Sequence, residues 1–435
     1  MTDKQQQIQN SFVYMIPAMV SSLLPMITLP IFTRILSTED YGVLALAMVY
    51  STFVAGLANF GMTLSYERNF FEHREGKAKS HLLYSTLAFV LGLFALFGIL
   101  TWVFREQFAQ WVIGSPQYGD LIFLTFCATG AQGLKVYFLT YFRNTGDAKP
   151  YAVHVVAESV LWALFSLLFV GVLRIGVAGL PLGQLLASLC VLTLLAARFL
   201  RALPLGFDGG ILLQSLRISY PLAPRVVLAV VAKHLDKFLI GLFAGLSGVG
   251  VYAIGQRVAN LVFTYMVALE NVFTPQVYER MFSLGDQGGE AVGRYLTPFA
   301  YSSIAVAMLV SLFSEEVLFI LTPPSFHDAV AVVNVLAIYY GLSFLGKQPQ
   351  LVYSKKTHLI PMLTAVHLVL TLGFGILFIR AWGAVGAAWG TLTAGTIYLG
   401  LWQLLGQRYY RIHYEYRKLG AIFGVFAFSS ILVLV

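Results

Sequence analysis

Residues 82–104 read LLYSTLAFVLGLFALFGILTWVF, without a charged side chain. A helix of that length is roughly 35 Å long, at 1.5 Å per residue, and a bilayer's hydrocarbon core is about 30 Å thick. Charged and Gly/Pro-containing breaks set off thirteen predominantly apolar segments. They lie at 12–35, 41–64, 82–104, 119–142, 151–173, 177–199, 219–243, 249–273, 295–316, 329–350, 359–380, 383–405 and 419–435. Only 11% of the chain is charged and 58% is hydrophobic, whereas a soluble domain carries about 25% charged residues. The expected fold class is therefore an all-α polytopic membrane protein. The stretch from Phe12 to Ile35 is too long for a signal peptide and lacks a basic leader, so it reads as a retained first helix. The last segment is short: a thirteenth helix, or the beginning of a longer pair.

Lysine and arginine in the loops set the orientation. Eighteen lie in one set of loops, from Lys4 through Arg68, Arg143, Arg198, Arg280 and Lys355 to Lys418. The alternate loops hold four: Arg34, Arg105, Arg174 and Arg380. The amino terminus is expected on the cytoplasmic side. No loop is long enough for a soluble domain. Cys127 and Cys190 sit within apolar segments and form no metal motif; no metal site is expected.

The chain reads as a duplication. SYERNFF at 65–71 returns as VYERMFS at 277–283, shifted by 212. At that shift Leu57 and Asn59 also align with Leu269 and Asn271, giving six identities across residues 57–70. The basic loop YFRNTGDAKPY resembles LVYSKKTHLIPM, and each is followed by a proline near the next helix start, Pro150 and Pro361. Gly176, Gly179 and Gly183 match Gly383, Gly386 and Gly390 with the same spacing. Two pseudo-symmetric six-helix lobes around a central cavity are expected: an N-lobe at 1–205 with helices 1–6, and a C-lobe at 206–406 with helices 7–12. A basic loop and apolar helix 13 follow at 407–435. Such parallel repeats suit alternating access.

Ions inside a membrane are costly, about 2.5–3.5 kcal/mol each on the insertion scale, so they are expected to face a cavity or each other. Lys135, Arg225, Lys233, Lys237, Arg257 and Lys347 lie within segments, with Glu158, Asp236 and Glu270 as the main acids. Arg225, Lys233, Asp236 and Lys237 share one helical face, and Asp236 and Arg257 lie at similar depth. A purely structural Asp236–Arg257 or Asp236–Lys233 pair, and snorkelling by Arg225, Lys135 and Lys347, are the plainer readings. The cation excess otherwise indicates an anionic phosphate or pyrophosphate cargo. Lys135, Arg225, Lys233, Lys237 and Arg257, with Asn59 and Asn271, are the candidate substrate-binding set. Asp236, Glu158 and Glu270 are the candidates for coupling to a proton or sodium gradient, with no other cofactor. His154, His234 and His367 read as packing residues. Pro17, Pro25 and Pro30 interrupt the first segment, while Pro221 and Pro224 open the seventh; Pro17, Pro25, Pro221 and Pro224 are candidate hinges.

The stretches IFTRILSTEDYGVLALA and AKHLDKFLIGLFAGLSGVGVYAIGQRVANL, with the YFRNTGDAKPY loop and the glycine-spaced turns, are similar to one family. It is the polysaccharide transporter family of the multidrug/oligosaccharidyl-lipid/polysaccharide (MOP) exporter superfamily, which includes Wzx-type O-antigen and capsule flippases. The resemblance runs to about residue 405. It implies two six-helix lobes (a MATE-like arrangement), a cationic cavity, and movement of an undecaprenyl-pyrophosphate-linked oligosaccharide from the cytoplasmic to the periplasmic leaflet. Asp236 and Lys237 fall on the family's recurrent Asp-basic pair in the seventh helix. The segment after the twelfth departs from the pattern; peptidoglycan-precursor flippases carry two extra helices. The expected partners are the lipid-linked oligosaccharide and the bilayer, with a polymerase or ligase of the same glycan pathway as a candidate, no nucleic acid, and a monomeric state. The alternatives are a multidrug or peptidoglycan-precursor exporter, or a membrane-embedded glycan polymerase. A drug exporter favours an acidic cavity. An enzyme requires a large extramembrane loop or an acid/base or metal cluster, and the sequence offers neither.

Overall fold

The computed structural model describes residues 3–73, 76–346 and 349–434, with the backbone alone at 3–12, 14, 15, 18, 222, 225, 271, 286, 346 and 427–434. The described residues form helices and no strands. The chain folds as two compact units, residues 1–234 and 235–435.

The first unit contains α1 (Asp3–Ile35), α2 (Thr38–Asn59), α3 (Met62–Glu72), α4 (Gly76–Val103), α5 (Arg105–Val112), α6 (Gly119–Thr145), α7 (Ala148–Ser166) and α8 (Gly179–Ala202). The LSTED stretch starts α2 as a capping box. Ser37 Oγ accepts from the Asp40 amide at 3.1 Å, and the Asp40 carboxylate accepts from the Ser37 amide at 2.9 Å. The second segment was expected to run to residue 64, but α2 stops at Asn59. Phe60 and Gly61 adopt positive φ, 50° and 70°, and turn the chain into the separate helix α3. α6 packs on α2, α4 and α8, and α7 packs on α1 and α8. α1 continues as one helix through Pro17, Pro25 and Pro30.

α9 (Gly209–Leu284) runs from the first unit into the second. Asp208 caps it, accepting from the Gly210 and Ile211 amides at 2.8 and 3.1 Å. Pro221 and Pro224 therefore lie inside this helix, not at its start. Its break falls at Gly245, with φ 78° and ψ 175°. The remaining elements are α10 (Gly288–Leu312), α11 (Ser314–Leu321), α12 (Ala329–Leu342), α13 (Gln350–Tyr353), α14 (Leu359–Tyr409) and α15 (Tyr416–Leu434). α14 is likewise broken at Trp382 and Gly383.

Among the described residues, nine helices are long and apolar enough to cross a membrane, including Val226–Leu284 with 59 residues and Leu359–Tyr409 with 51. Each of those two is too long for one crossing, at about 1.5 Å per residue, and its break divides it into two arms. Nine, with both counted twice, gives eleven crossings. The shorter apolar helix Met19–Ile35 adds the first segment, and α15 is the last. Each of the thirteen expected segments contains a described helix, with 347, 348 and 435 lying outside the described residues. α15 packs on α10 and α12. The chain before it is stitched down: the His413 amide donates to Gly289 O at 3.1 Å, and Gln350 Nε2 donates to Tyr410 O at 2.6 Å.

The glycine repeat has a structural counterpart in each unit. Gly176 and Gly383 both turn the chain at positive φ, 72° and 57°. One turn on, a Cβ at Gly179 would lie 2.7 Å from Val170 Cγ2, and one at Gly386 would lie 1.9 Å from Phe378 O. A further turn on, Gly183 abuts the Ser166 backbone and Gly390 abuts Gly375. Here the helix backbones touch, as small residues allow in a bilayer. The matched basic loops also share a turn. The Asp147 amide donates to Phe142 O, and the Lys356 amide to Leu351 O, each at 2.8 Å. The residue before each, Gly146 (φ 80°) or Lys355 (φ 56°), is left-handed.

One repeated feature was not legible in the sequence. α5 and α11 are eight-residue helices, each followed by a proline-initiated 3-10 turn, Pro116–Tyr118 or Pro324–Phe326. Each leads into the next membrane helix, α6 or α12. The ninth segment was expected at 295–316, but α10 ends at Leu312 and Phe313 starts α11.

Gly386→Leu is expected to cost about 3 kcal/mol, the upper end of the usual overpacking range, because even its Cβ meets a carbonyl. Gly373→Leu, whose Cβ meets nothing within 4 Å, is expected to cost far less. Thermal unfolding of the purified variants, followed by monodisperse elution, checks the difference.

Candidate functional site

The first unit brings Lys135 and Glu158 together. α6 carries Lys135, α7 carries Glu158, and both are buried. Lys135 Nζ pairs with Glu158 Oε2. Glu158 Oε1 accepts from Ser188 Oγ at 2.7 Å and Gln184 Nε2 at 3.2 Å, and Gln184 Nε2 reaches Ser188 Oγ at 3.0 Å. α8 supplies both, one turn apart on one face. This arrangement satisfies both oxygens of a buried carboxylate and gives the ammonium its counter-charge. Lys135 does not snorkel. Asn59 ends α2, where its Oδ1 accepts from Tyr137 Oη at 2.7 Å and Thr63 Oγ1 at 2.8 Å.

The second unit builds a comparable cluster on the two arms of α9. Asp236 Oδ2 accepts from Tyr252 Oη at 2.6 Å and Gln256 Nε2 at 3.2 Å. Asp236 Oδ1 accepts from the Lys237 amide at 2.8 Å. Lys237 Nζ donates to Gln256 Oε1 and lies 5.9 Å from the Tyr252 ring centre. Gln256 thus bridges the carboxylate and the ammonium, and the four side chains carry no net charge.

The expected structural pair between Asp236 and Arg257 does not form. Its place is taken by Gln256, one residue earlier, because one step along a helix turns a side chain by about 100°. Arg257 and Glu270 are partly buried on the same arm, Lys233 is exposed, and none of the three has an ion pair among the described residues. The side chains of Arg225 and Asn271, and all of Lys347, lie outside the described residues. Pro17 is buried, Pro25 half-buried, and Pro221 and Pro224 exposed. Two of the histidines pack on rings: His154 on Phe142 at 5.8 Å and His367 on Tyr398 at 4.5 Å.

Sequence reasoning missed Gln184, Ser188 and Gln256. Their signal was present: Gln184 with Ser188, and Tyr252 with Gln256, are polar pairs four residues apart in apolar segments. That spacing puts each pair on one helix face, opposite an acid on the neighbouring helix or arm. No group of His, Cys, Asp or Glu among the described residues is arranged to hold a metal ion.

Apolar helices joined by glycine turns, with ionised groups neutralised inside them, define a multi-pass membrane protein. Its fold is that of the MOP transporters. An inward-facing multidrug resistance MATE family transporter of the MOP superfamily superposes with a TM-score of 0.72 at 16% identity, covering 94% of this chain and 98% of that one. The lipid II flippase MurJ, in an inward closed conformation, gives 0.71 at 13% identity, with 97% of each chain covered. A MOP superfamily transporter from Pyrococcus furiosus Vc1, whose binding pocket is described as of reverse polarity and suggestive of a different function, gives 0.64 at 17% identity, with 96% of each covered. Comparison with curated proteins by sequence gives no match. The family model for polysaccharide biosynthesis proteins matches residues 8–275. The chain belongs to that family.

Breaking the buried pair is expected to be severe. Lys135→Met or Glu158→Gln alone should cost about 3–5 kcal/mol, because each leaves an uncompensated buried group. The double variant should recover much of that loss. Thermal unfolding in detergent across the four proteins measures the coupling.

Proposed function

We propose that the protein is a flippase for an undecaprenyl-pyrophosphate-linked oligosaccharide, an O-antigen or capsule repeat unit. It carries this cargo from the cytoplasmic to the periplasmic leaflet of a bacterial inner membrane, with its amino terminus in the cytoplasm. The supporting observation is the charge left over on α9. Asp236 and Lys237 compensate each other through Gln256, while Lys233 and Arg257 have no carboxylate partner among the described residues. Unneutralised cations in membrane helices suit a pyrophosphate, which accepts several charge-assisted hydrogen bonds. Membership of a polysaccharide biosynthesis family and a fold shared with a lipid II flippase point the same way.

In this reading Lys233 and Arg257, with Arg225, draw the pyrophosphate, and Lys237 is released to it when Gln256 turns away. Lys135 takes part only if its pair with Glu158 opens. Asn59 and Asn271 hold equivalent places in the two repeats and offer amides to the glycan. Asp236, hydrogen-bonded to Tyr252, is the leading proton or sodium site, with Glu158 and Glu270 behind it. Pro17, Pro25, Pro221 and Pro224 each delete a backbone hydrogen bond and supply hinge points. The cargo and the bilayer are the partners required, and a monomer suffices.

The test is leaflet accessibility of a labelled undecaprenyl-pyrophosphate oligosaccharide in liposomes, with and without an ion gradient. Arg257→Ala is expected to slow translocation about tenfold, the equivalent of one charge-assisted bond of roughly 1.5 kcal/mol, while Arg257→Lys retains most of the rate. Asp236→Asn is expected to abolish the response to the gradient. Efflux of a small organic cation in the absence of any lipid-linked movement would overturn the reading in favour of a drug exporter.

A further inference from the structure

The second unit holds a cavity of about 600 Å³ where the break in α9, the start of α12 and the break in α14 meet. Ser247, Gly248, His327, Asp328, Trp382 and Gly383 are on its wall. It lies at the ends of the membrane helices whose turns carry few lysines and arginines. Its size is that of a small-molecule site, commonly about 300–1,000 Å³. The two backbone breaks create it: each turns an apolar helix back on itself and leaves a polar mouth between the arms.

Three side chains give this mouth a definite chemistry. Trp382 is 58% exposed at the turn of α14, and its φ of −133° takes it out of the helix. The His327 ring is held 3.9 Å from the Phe319 ring centre, with Nε2 3.4 Å from Thr322 O. Asp328 is exposed, and its carboxylate has no partner among the described residues. The Trp382 ring packs on Phe378 at 5.3 Å and stays more than half exposed; a partly exposed indole, a fixed imidazole and an unpaired carboxylate complement a sugar ring. The apolar C–H face of the ring stacks on the indole, and its hydroxyls donate to the carboxylate and bond with the imidazole. The wall's mixed apolar and polar character excludes a purely greasy ligand, and its one free acid disfavours an anion.

We propose that this cavity is a glycosyl-binding site that receives a sugar of the cargo on the outward side, with Trp382 as the stacking face and Asp328 and His327 as the hydroxyl partners. The assignment of the sugar to a cargo rests on the flippase reading; the binding itself does not. The experiment is saturation-transfer NMR on the full-length protein in micelles, with free glucose, galactose, mannose, rhamnose and N-acetylglucosamine as probes. At least one is expected to bind. Trp382→Ala should weaken its apparent affinity about tenfold, an energy of roughly 1.4 kcal/mol. Asp328→Asn should weaken it severalfold, and Trp382→Phe should keep most of it. Trp111→Ala, on an exposed tryptophan of the first unit, should change nothing. Elution profiles establish that each variant is folded. No binding to the unmodified protein, or equal binding by Trp382→Ala and Asp328→Asn, overturns the proposal whatever the liposome assay gives. Binding that depends on Trp382 without any translocation upholds the site and sinks the flippase reading alone.

Discussion

Every backbone amide and carbonyl in a bilayer must find its partner within the protein. This constraint makes the chain helical along almost its whole described length, and it concentrates the irregular backbone into a few turns. Those turns are where the fold is decided. Gly245 and Gly383 let one apolar run become two crossings. Gly176 does the same between the fifth and sixth. Around two of these turns the following glycines, Gly179 with Gly183 and Gly386 with Gly390, bring helix backbones into contact that a side chain would block.

The same low-dielectric setting governs the ionised groups. The two units answer it with different chemistry. In the first, Lys135 and Glu158 meet directly, and a hydroxyl and an amide from α8 finish the carboxylate's coordination. In the second, the acid and the base are adjacent in sequence and cannot face each other across the helix, so an amide from the returning arm joins them. Neutrality is reached in both.

Much of the fold was legible because hydropathy and glycine spacing report the same constraint that shapes the structure. The thirteen segments, the duplicated glycine triplet and the paired basic loops all follow from it. The short helices α5 and α11 were not legible: eight amphipathic residues beside a long apolar run merge with it in any hydropathy reading. The start of α9 was misplaced because Asp208 caps a stretch containing Arg217, which a hydropathy reading assigns to a loop. The site was legible to the level of its charged residues. Which of them would pair was not, since a helix face can be read from spacing but the rotation of one arm against the next is fixed by packing.

The bridge at Gln256 has an orientation. Its NH2 group faces a carboxylate and its carbonyl oxygen faces an ammonium. A half-turn of the amide would set donor against donor and acceptor against acceptor, so the two ions lock the amide and the amide locks the arms on either side of Gly245. Removing the charge from either ion relaxes both locks at once. A three-atom amide group thereby serves as the latch of the hairpin.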